Sequence, residues 1–291
     1  MNIYTRLRSG ATFPATRDWP ADDAARSASA FPGTCRIVIR GEYLKSLAEA
    51  GFDRFDAFMG RDLGDPIARS RTSRTVRCTL PGGPRIYVKS YYYTSWRSVL
   101  RGSLRNTWLG RSRARREWDS LELQEALGLP SVPRIALGEC RFLGALTGCF
   151  LVTAEAPGET LENLAGRISP GTEATVSGDR EPRQGLIRAV ADLTRRMHDH
   201  HFVDGNFRFR NLLAAPGGDG SWDLVNLDSP RGRRTRRIAR ARLVDLASLR
   251  GDALRCTTRT ERLRFLLTYL GHRRLTPDAR DLARRIEGTA R

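Results

Sequence analysis

The segment His198-Asp-His-His-Phe-Val-Asp204-Gly-Asn206-Phe-Arg208-Phe-Arg-Asn211-Leu-Leu213, with Trp222-Asp-Leu-Val-Asn226-Leu-Asp228 shortly after it, decides how this chain is read. It begins where an amphipathic helix stops, because Leu186, Val190, Leu193 and Met197 recur at helical spacing and share one face. A loop dense in Asp, Asn and Arg follows, closed by Leu212-Leu213, and then a short apolar run that carries Asn226 and Asp228. Polar loops between a helix and short strands are where a fold can place groups that hold a metal or accept a proton. A second helical face, Leu263, Leu266, Leu267 and Leu270, lies further on.

Upstream the periodicity changes. Thr75-Val-Arg-Cys-Thr-Leu80 alternates, Pro81-Gly-Gly-Pro84 is turn chemistry, and Arg85-Ile-Tyr-Val-Lys89-Ser-Tyr91 alternates again, which predicts a hairpin with Lys89 on its second strand. A basic stretch with Arg97, Arg101, Arg105, Arg111, Arg113, Arg115 and Arg116 leads into a helix that carries Glu117 and ends at Gly128. Short strands are expected over 134–138 and 150–153, and one short helix between Gly41 and Gly60. Residues 1–40 mix Ser, Ala, Pro, Gly and Asp without a sustained period and read as an N-terminal extension. A small sheet-rich lobe over 41–153 followed by a helical lobe over 154–291 makes an α+β architecture with a cleft.

Of the 50 Lys and Arg residues, only Lys45 and Lys89 are lysine. A lone strand lysine is ordinarily a surface residue whose stem lies on apolar neighbours. In a chain that otherwise uses arginine, a retained compact ammonium points to a tight phosphate site that a guanidinium cannot mimic. Glu117 would orient it; its bland reading is a first-turn acid that favours the helix dipole.

Lys89, a helix glutamate, a helix ending Met197-His198, a loop ending Arg-Asn-Leu-Leu213 and an apolar strand with Asn-Leu-Asp228 stand in an order that resembles a protein-kinase-like fold. More narrowly, Tyr87-Val-Lys89, Arg116-Glu-Trp118 and Leu129-Pro-Ser-Val-Pro133 are similar to the Kdo/WaaP lipopolysaccharide kinase family, over about residues 41–271. The resemblance implies a two-lobed fold, ATP and Mg2+ as cofactors, and phosphorylation of a lipid-linked sugar at the inner face of the cytoplasmic membrane. It implies that Lys89 and Glu117 hold the nucleotide, that Asn211 and the position of Asn226 hold magnesium, and that Arg208 lies near the transferred phosphate. Asp245, in Leu243-Val-Asp-Leu246, matches the helix acid that supports the catalytic loop.

Two positions depart from the pattern. Counting back five residues from Asn211 lands on Asn206 where the catalytic aspartate is expected, and Asn226 stands where the metal-binding aspartate is expected. An amide can ligate a metal but brings no charge. Asp204, at the histidine position of the loop, and Asp228 are the acids that could take over. Three readings follow: an active sugar kinase; a pseudokinase that serves as a nucleotide-, lipid- or protein-binding scaffold; and a basic nucleic-acid-binding protein.

Composition bounds these readings. With 40% hydrophobic residues in 291 the chain is globular, and no apolar run is long enough to cross a membrane. Nothing at the N-terminus marks it for secretion, so the cytoplasm is the expected address. The five cysteines are scattered and odd in number, which predicts free thiols. The formal charge of +18 favours anionic partners, and seven arginines fall in Arg231–Arg242 beside the candidate site. Arg233, Arg234, Arg236 and Arg237 are the expected face for an anionic glycolipid or membrane surface. Nucleic acid is the rival ligand, without an RNA-binding or helix-turn-helix signature to support it. A protein partner is the third class.

Overall fold

The structure is a computed structural model that describes residues 4–8, 33–60, 63–70, 72–93, 110–167, 180–218 and 220–289. Arg97, Arg101 and Arg105 of the basic stretch lie outside these residues. The chain divides into two compact units, Met1–Asp119 with Pro133–Glu155, and Ser120–Val132 with Ala156–Arg291.

The first unit is built on a seven-stranded antiparallel sheet. Its strands are β1 (Tyr4–Arg8), β2 (Thr34–Arg40), β3 (Asp65–Arg69), β4 (Ser73–Thr79), β5 (Arg85–Tyr92), β6 (Arg134–Phe142) and β7 (Ala145–Ala154), in the spatial order β1-β2-β6-β7-β5-β4-β3. The expected hairpin is β4–β5, with Lys89 opposite Thr75 on one side and Leu151 of β7 on the other. Period-2 alternation turns Ile86, Val88 and Ser90 to one face and Tyr87 and Lys89 to the other.

Two short helices, α1 (Leu44–Glu49) and α2 (Phe55–Met59), supply Leu47, Phe55, Phe58 and Met59 to the core formed with Ile37, Ile39, Val76, Ile86, Val88, Phe150 and Val152. Phe58 stacks on Phe150 with ring centroids 4.2 Å apart. The Phe150 ring lies so close over Gly138 of β6 that a β-carbon there would come within 2.1 Å of it. Only glycine fits, and its lack of a side chain is what lets the aromatic stack form. Ser90 Oγ and Tyr92 Oη donate to the carbonyls of Phe58 and Met59, fastening α2 to β5.

The end of the expected extension is therefore part of this sheet: Thr34–Arg40 pairs with both β1 and β6. Its alternation, Cys35, Ile37 and Ile39 inward against Thr34, Arg36, Val38 and Arg40, is masked in the sequence by arginines on the outer face. This register also corrects the reading of free thiols. Cys35 and Cys140 are directly opposite on β2 and β6 and form a disulfide, although 105 residues separate them. Spacing along the chain carried no sign of it, since the pairing is made by strand register. Cys78, Cys149 and Cys256 are free and buried.

The second unit is mainly helical. Helix α3 (Arg113–Ala126) runs across the division of the chain, with Ser120–Ala126 in this unit. The other helices are α4 (Leu161–Arg167), α5 (Arg180–Asp199), α6 (Ile238–Ala253), α7 (Arg259–Leu270) and α8 (Pro277–Thr289). Small ladders join β8 (Glu159–Thr160), β10 (Leu212–Pro216) and β11 (Trp222–Asn226), and join β9 (Phe202–Val203) to β12 (Arg233–Arg234).

The expected face of α5 is buried at Val190, Leu193 and Met197 against Phe202, Phe207, Leu212 and Leu224. On α7 the buried positions are Leu266 and Tyr269, while Leu263 faces solvent. That helix starts with a Thr258/Glu261 capping box and ends at Gly271 in the left-handed conformation.

Cysteine reactivity checks the strand pairing. Unfolded protein without reductant should expose three alkylatable thiols and, after reduction, five. Five thiols without reductant would refute the Cys35–Cys140 pair.

Candidate functional site

In the sheet unit Lys89 Nζ lies 2.7 Å from Glu117 Oε1. The Glu117 side chain is 1% exposed and that of Lys89 22%. A carboxylate so deeply buried is tolerable only with a cation beside it. The lysine is fixed in mid-sheet by pairing on both sides of β5. The glutamate is fixed by α3, whose next residue, Trp118, lies under the buried guanidinium of Arg134 at 4.7 Å. The sequence-expected pair is thus brought together, with the ammonium as its solvent-facing end.

In the helical unit the polar loop is shaped by Asp245 of α6. Its carboxylate, fully buried, accepts the backbone N–H groups of Asp204 (2.9 Å) and Gly205 (2.7 Å). His198 Nε2 lies 3.4 Å from the same carboxylate and its Nδ1 2.9 Å from Tyr269 Oη. Asn211 Nδ2 donates to the Asn206 carbonyl at 2.9 Å, closing the loop on itself.

Asp204 is turned inward and has no exposure. Its Oδ1 accepts the Asn206 N–H (2.8 Å); its Oδ2 accepts from Asn226 Nδ2 (2.8 Å) and from the Ser229 hydroxyl. Burial, and then the charge of Asp245, push its pKa from 3.8 up to about 7 against the opposing pull of these donors. Asn226 is itself 1% exposed, and its Nδ2 also reaches Gln124 Oε1 (3.1 Å) and Ser229 Oγ (3.2 Å). Its Oδ1 is buried without a hydrogen-bond partner among the described residues.

Arg208, expected near a transferred phosphate, is paired with an acid of the helical unit. Its Nε and Nη2 make a bidentate pair with Asp252 of α6 at 2.9 and 2.8 Å, and Asp252 also accepts the Phe209 N–H. Sequence reasoning missed Asp252, although it lies seven residues after Asp245 and so on the same helix face. It also missed Ser229 and Gln124, which carry no signal of their own because hydrogen bonding across folded elements selects them. Asp228 is half-buried.

The magnesium implied by the resemblance finds a poor donor set. The positions meant for it are amides, Asn211 and Asn226, and the amino end of Asn226 faces the nearest acid. Asp204 is occupied by three hydrogen bonds. No group of three or more His, Cys, Asp or Glu suited to a metal occurs among the described residues. Neutral oxygens alone do not supply the charge that a divalent ion bridging phosphates draws from its protein ligands, so Asn211 and Asn226 without a carboxylate such as Asp228 do not fit the ion.

Beside the loop, β12 pairs Arg233 with Val203 and Arg234 with Phe202, and Thr235 N donates to the His201 carbonyl at 2.9 Å. Gly232 makes this approach possible, since a β-carbon there would collide with Ser120 Oγ. Arg231, Arg233, Arg234, Arg236, Arg237 and Arg240 are exposed.

A sheet-rich lobe with a strand lysine on a helix glutamate, and a helical lobe whose loop is held by a helix acid, define a two-lobed protein-kinase-like fold. The model of the lipopolysaccharide kinase (Kdo/WaaP) family matches residues 59–269, and the chain belongs to that family. Among solved structures it is similar to WaaP in complex with acyl carrier protein, at 23% identity and TM-score 0.62, covering 87% of this chain and 97% of that one. The Rio2 kinase-ADP/Mg2+-phosphoaspartate complex from Chaetomium thermophilum aligns at 13% identity and TM-score 0.45, over 85% of this chain and 76% of that one. No curated protein matches the sequence. No helix among the described residues is long and apolar enough to cross a membrane.

Asn226→Asp tests the inward network. It sets a second carboxylate beside Asp204, where the two cannot both ionise. The folded variant then keeps a proton that the unfolded chain releases near pH 4, so this contribution to stability is present at low pH and lost as pH rises. Relative to the parent, the variant should melt at a similar temperature at pH 5 and several degrees lower at pH 8. A constant difference across that range would show that the two side chains do not meet.

Proposed function

We propose that this member of the lipopolysaccharide kinase family is a pseudokinase that binds nucleotide phosphates without magnesium and does not transfer them. Its arginine face, Arg231 to Arg240, would dock a phosphorylated glycolipid at the inner face of the cytoplasmic membrane. The observation that carries this reading is the inward, hydrogen-bonded Asn226 at the metal-aspartate position, together with an amide, Asn206, at the base position. The Lys89–Glu117 pair supports the nucleotide half, because an oriented ammonium attracts phosphate without any metal.

The Arg231–Arg240 guanidiniums support the lipid half, since none of the six lies within 4 Å of a carboxylate among the described residues. WaaP was solved with an acyl carrier protein, and that protein is the first candidate for a protein partner. The same Lys89–Glu117 pair also favours a second reading, an active kinase in which Asp228 takes over the metal and Asp204 the proton.

ATP alone should raise the melting temperature, magnesium should add nothing further, and Lys89→Arg should abolish the shift, because a planar guanidinium does not fit a point-charge site. A shift that requires magnesium and disappears in Asp228→Asn, with phosphate transfer to a glycolipid, would establish the active reading instead.

Replacing Arg233, Arg234, Arg236 and Arg237 by Gln should weaken low-salt adsorption to vesicles that carry phosphorylated glycolipid, and the parent's adsorption should be strongly salt-dependent. Unchanged vesicle adsorption with a large loss of RNA or DNA binding would assign the face to nucleic acid.

A further inference from the structure

The hairpin joining β6 to β7 breaks two folding preferences at one residue. Its turn, Leu143-Gly144, has positive φ at both positions, 48° and 85°. A two-residue connection of this kind selects Asn, Asp or Gly at its first position, because a short polar side chain or none tolerates the left-handed region. Leucine has neither advantage. The same leucine is 79% exposed, and Phe142 before it is 49% exposed. The other exposed large apolar side chains among the described residues, Ile67, Val244, Leu254, Leu263 and Leu275, stand singly along the chain. This turn is the one place among them where two adjacent side chains are so presented, and it gives folding nothing in return.

The surroundings of the tip indicate its partner. Arg141, next to Phe142, donates from Nη1 to the Gly144 carbonyl (3.1 Å) and from Nη2 to the Gly110 carbonyl (2.7 Å). The turn is thereby braced against the segment that carries Arg111 and Arg115. These three arginines, with Gly110, Asp119 and Glu139, line a cavity of about 350 Å³, three guanidiniums against two carboxylates. The Arg111 side chain is largely exposed even while paired with Asp119 at 2.9 Å. Arg115 shares Asp119 with Arg111, at 3.9 Å, and Arg141 lies 3.5 Å from Glu139, so the group holds one guanidinium more than it has carboxylates. An apolar tip beside such a surplus is complementary to an anionic bilayer surface, where acyl chains lie beneath phosphates.

We propose that Phe142 and Leu143 insert into the boundary between headgroups and acyl chains of an anionic phospholipid bilayer, with Arg111, the most exposed of the three arginines, meeting the lipid phosphates. The inference does not depend on whether the chain transfers phosphate, nor on the arginine face of the other unit.

The test is sedimentation of the full chain with vesicles of 30% phosphatidylglycerol in phosphatidylcholine, at 0.1 and 0.5 M NaCl. The variant is the double change Phe142→Ser, Leu143→Asn. Asparagine is at home with positive φ, which offsets what Phe142→Ser loses from its half-buried ring. The single change Leu143→Asn, which should melt no lower than the parent and should also weaken binding, keeps a folding defect from mimicking the result. Burial of two large apolar side chains predicts that the variant binds more than tenfold more weakly at both salt concentrations. The Arg233, Arg234, Arg236, Arg237→Gln protein should keep the salt-resistant part of the parent's binding, which separates this surface from the other. Vesicle binding of the tip variant within twofold of the parent's, or parent binding that vanishes at 0.5 M salt, would overturn the proposal. A parent that binds no vesicles at all would overturn it as well.

Discussion

A carboxylate with no exposure must be neutralised, surrounded by donors, or both, and Asp204 sets this condition for the whole polar loop. It is reached by a backbone N–H from Asn206, a hydroxyl from Ser229 and an amide from Asn226, while the Asp245 charge beneath it works in the opposite direction. An acid at position 226 would face it at about the 2.8 Å that now separates donor from acceptor. The side chains at 204 and 226 are therefore coupled. With Asp204 buried and turned inward, an amide at 226 is the side chain that satisfies it.

The loop keeps its shape through contacts that involve neither metal nor nucleotide. Asp245 holds two N–H groups, Asn211 holds the Asn206 carbonyl, and Asp252 holds Phe209 and clamps Arg208. Each is a buried side chain satisfying backbone groups that the loop leaves without ladder partners. The scaffolding of the loop thus rests on the chain's own side chains. Family membership over residues 59–269 is compatible with either catalytic outcome for that reason.

Local pattern made the central features legible. The β4–β5 hairpin, the α5 face and the Lys89–Glu117 pairing follow from period, turn residues and motif order, which act over short distances or through a strongly constrained fold. What stayed hidden was set by tertiary register. Thr34–Arg40 reads as an arm because arginines occupy its outer face, yet its inner positions bury Cys35, Ile37 and Ile39. The Cys35–Cys140 bond depends on a strand pairing made across 105 residues. The direction in which Asp204 and Asn226 point could not be read from spacing, because both loops can supply the same residues inward or outward. Ser229 and Gln124 are ordinary until folding places them beside a buried charge.

A bias toward arginine accounts for the number of guanidiniums but not for their crowding on one segment. In the helical unit Arg183, Arg195, Arg208, Arg250 and Arg255 each stand within 4 Å of a carboxylate. Among the described residues the arginines from 231 to 240 have no such neighbour, and neither have Arg188, Arg196, Arg210, Arg259 and Arg264. What sets the 231–240 group apart is its density on one exposed segment, tied by β12 to the strand that enters the polar loop. Like charges crowded on one segment without acids cost stability through mutual repulsion. Six exposed guanidiniums on one short segment are what a polyanion can neutralise, since its phosphates supply the bidentate contacts that no described carboxylate makes there.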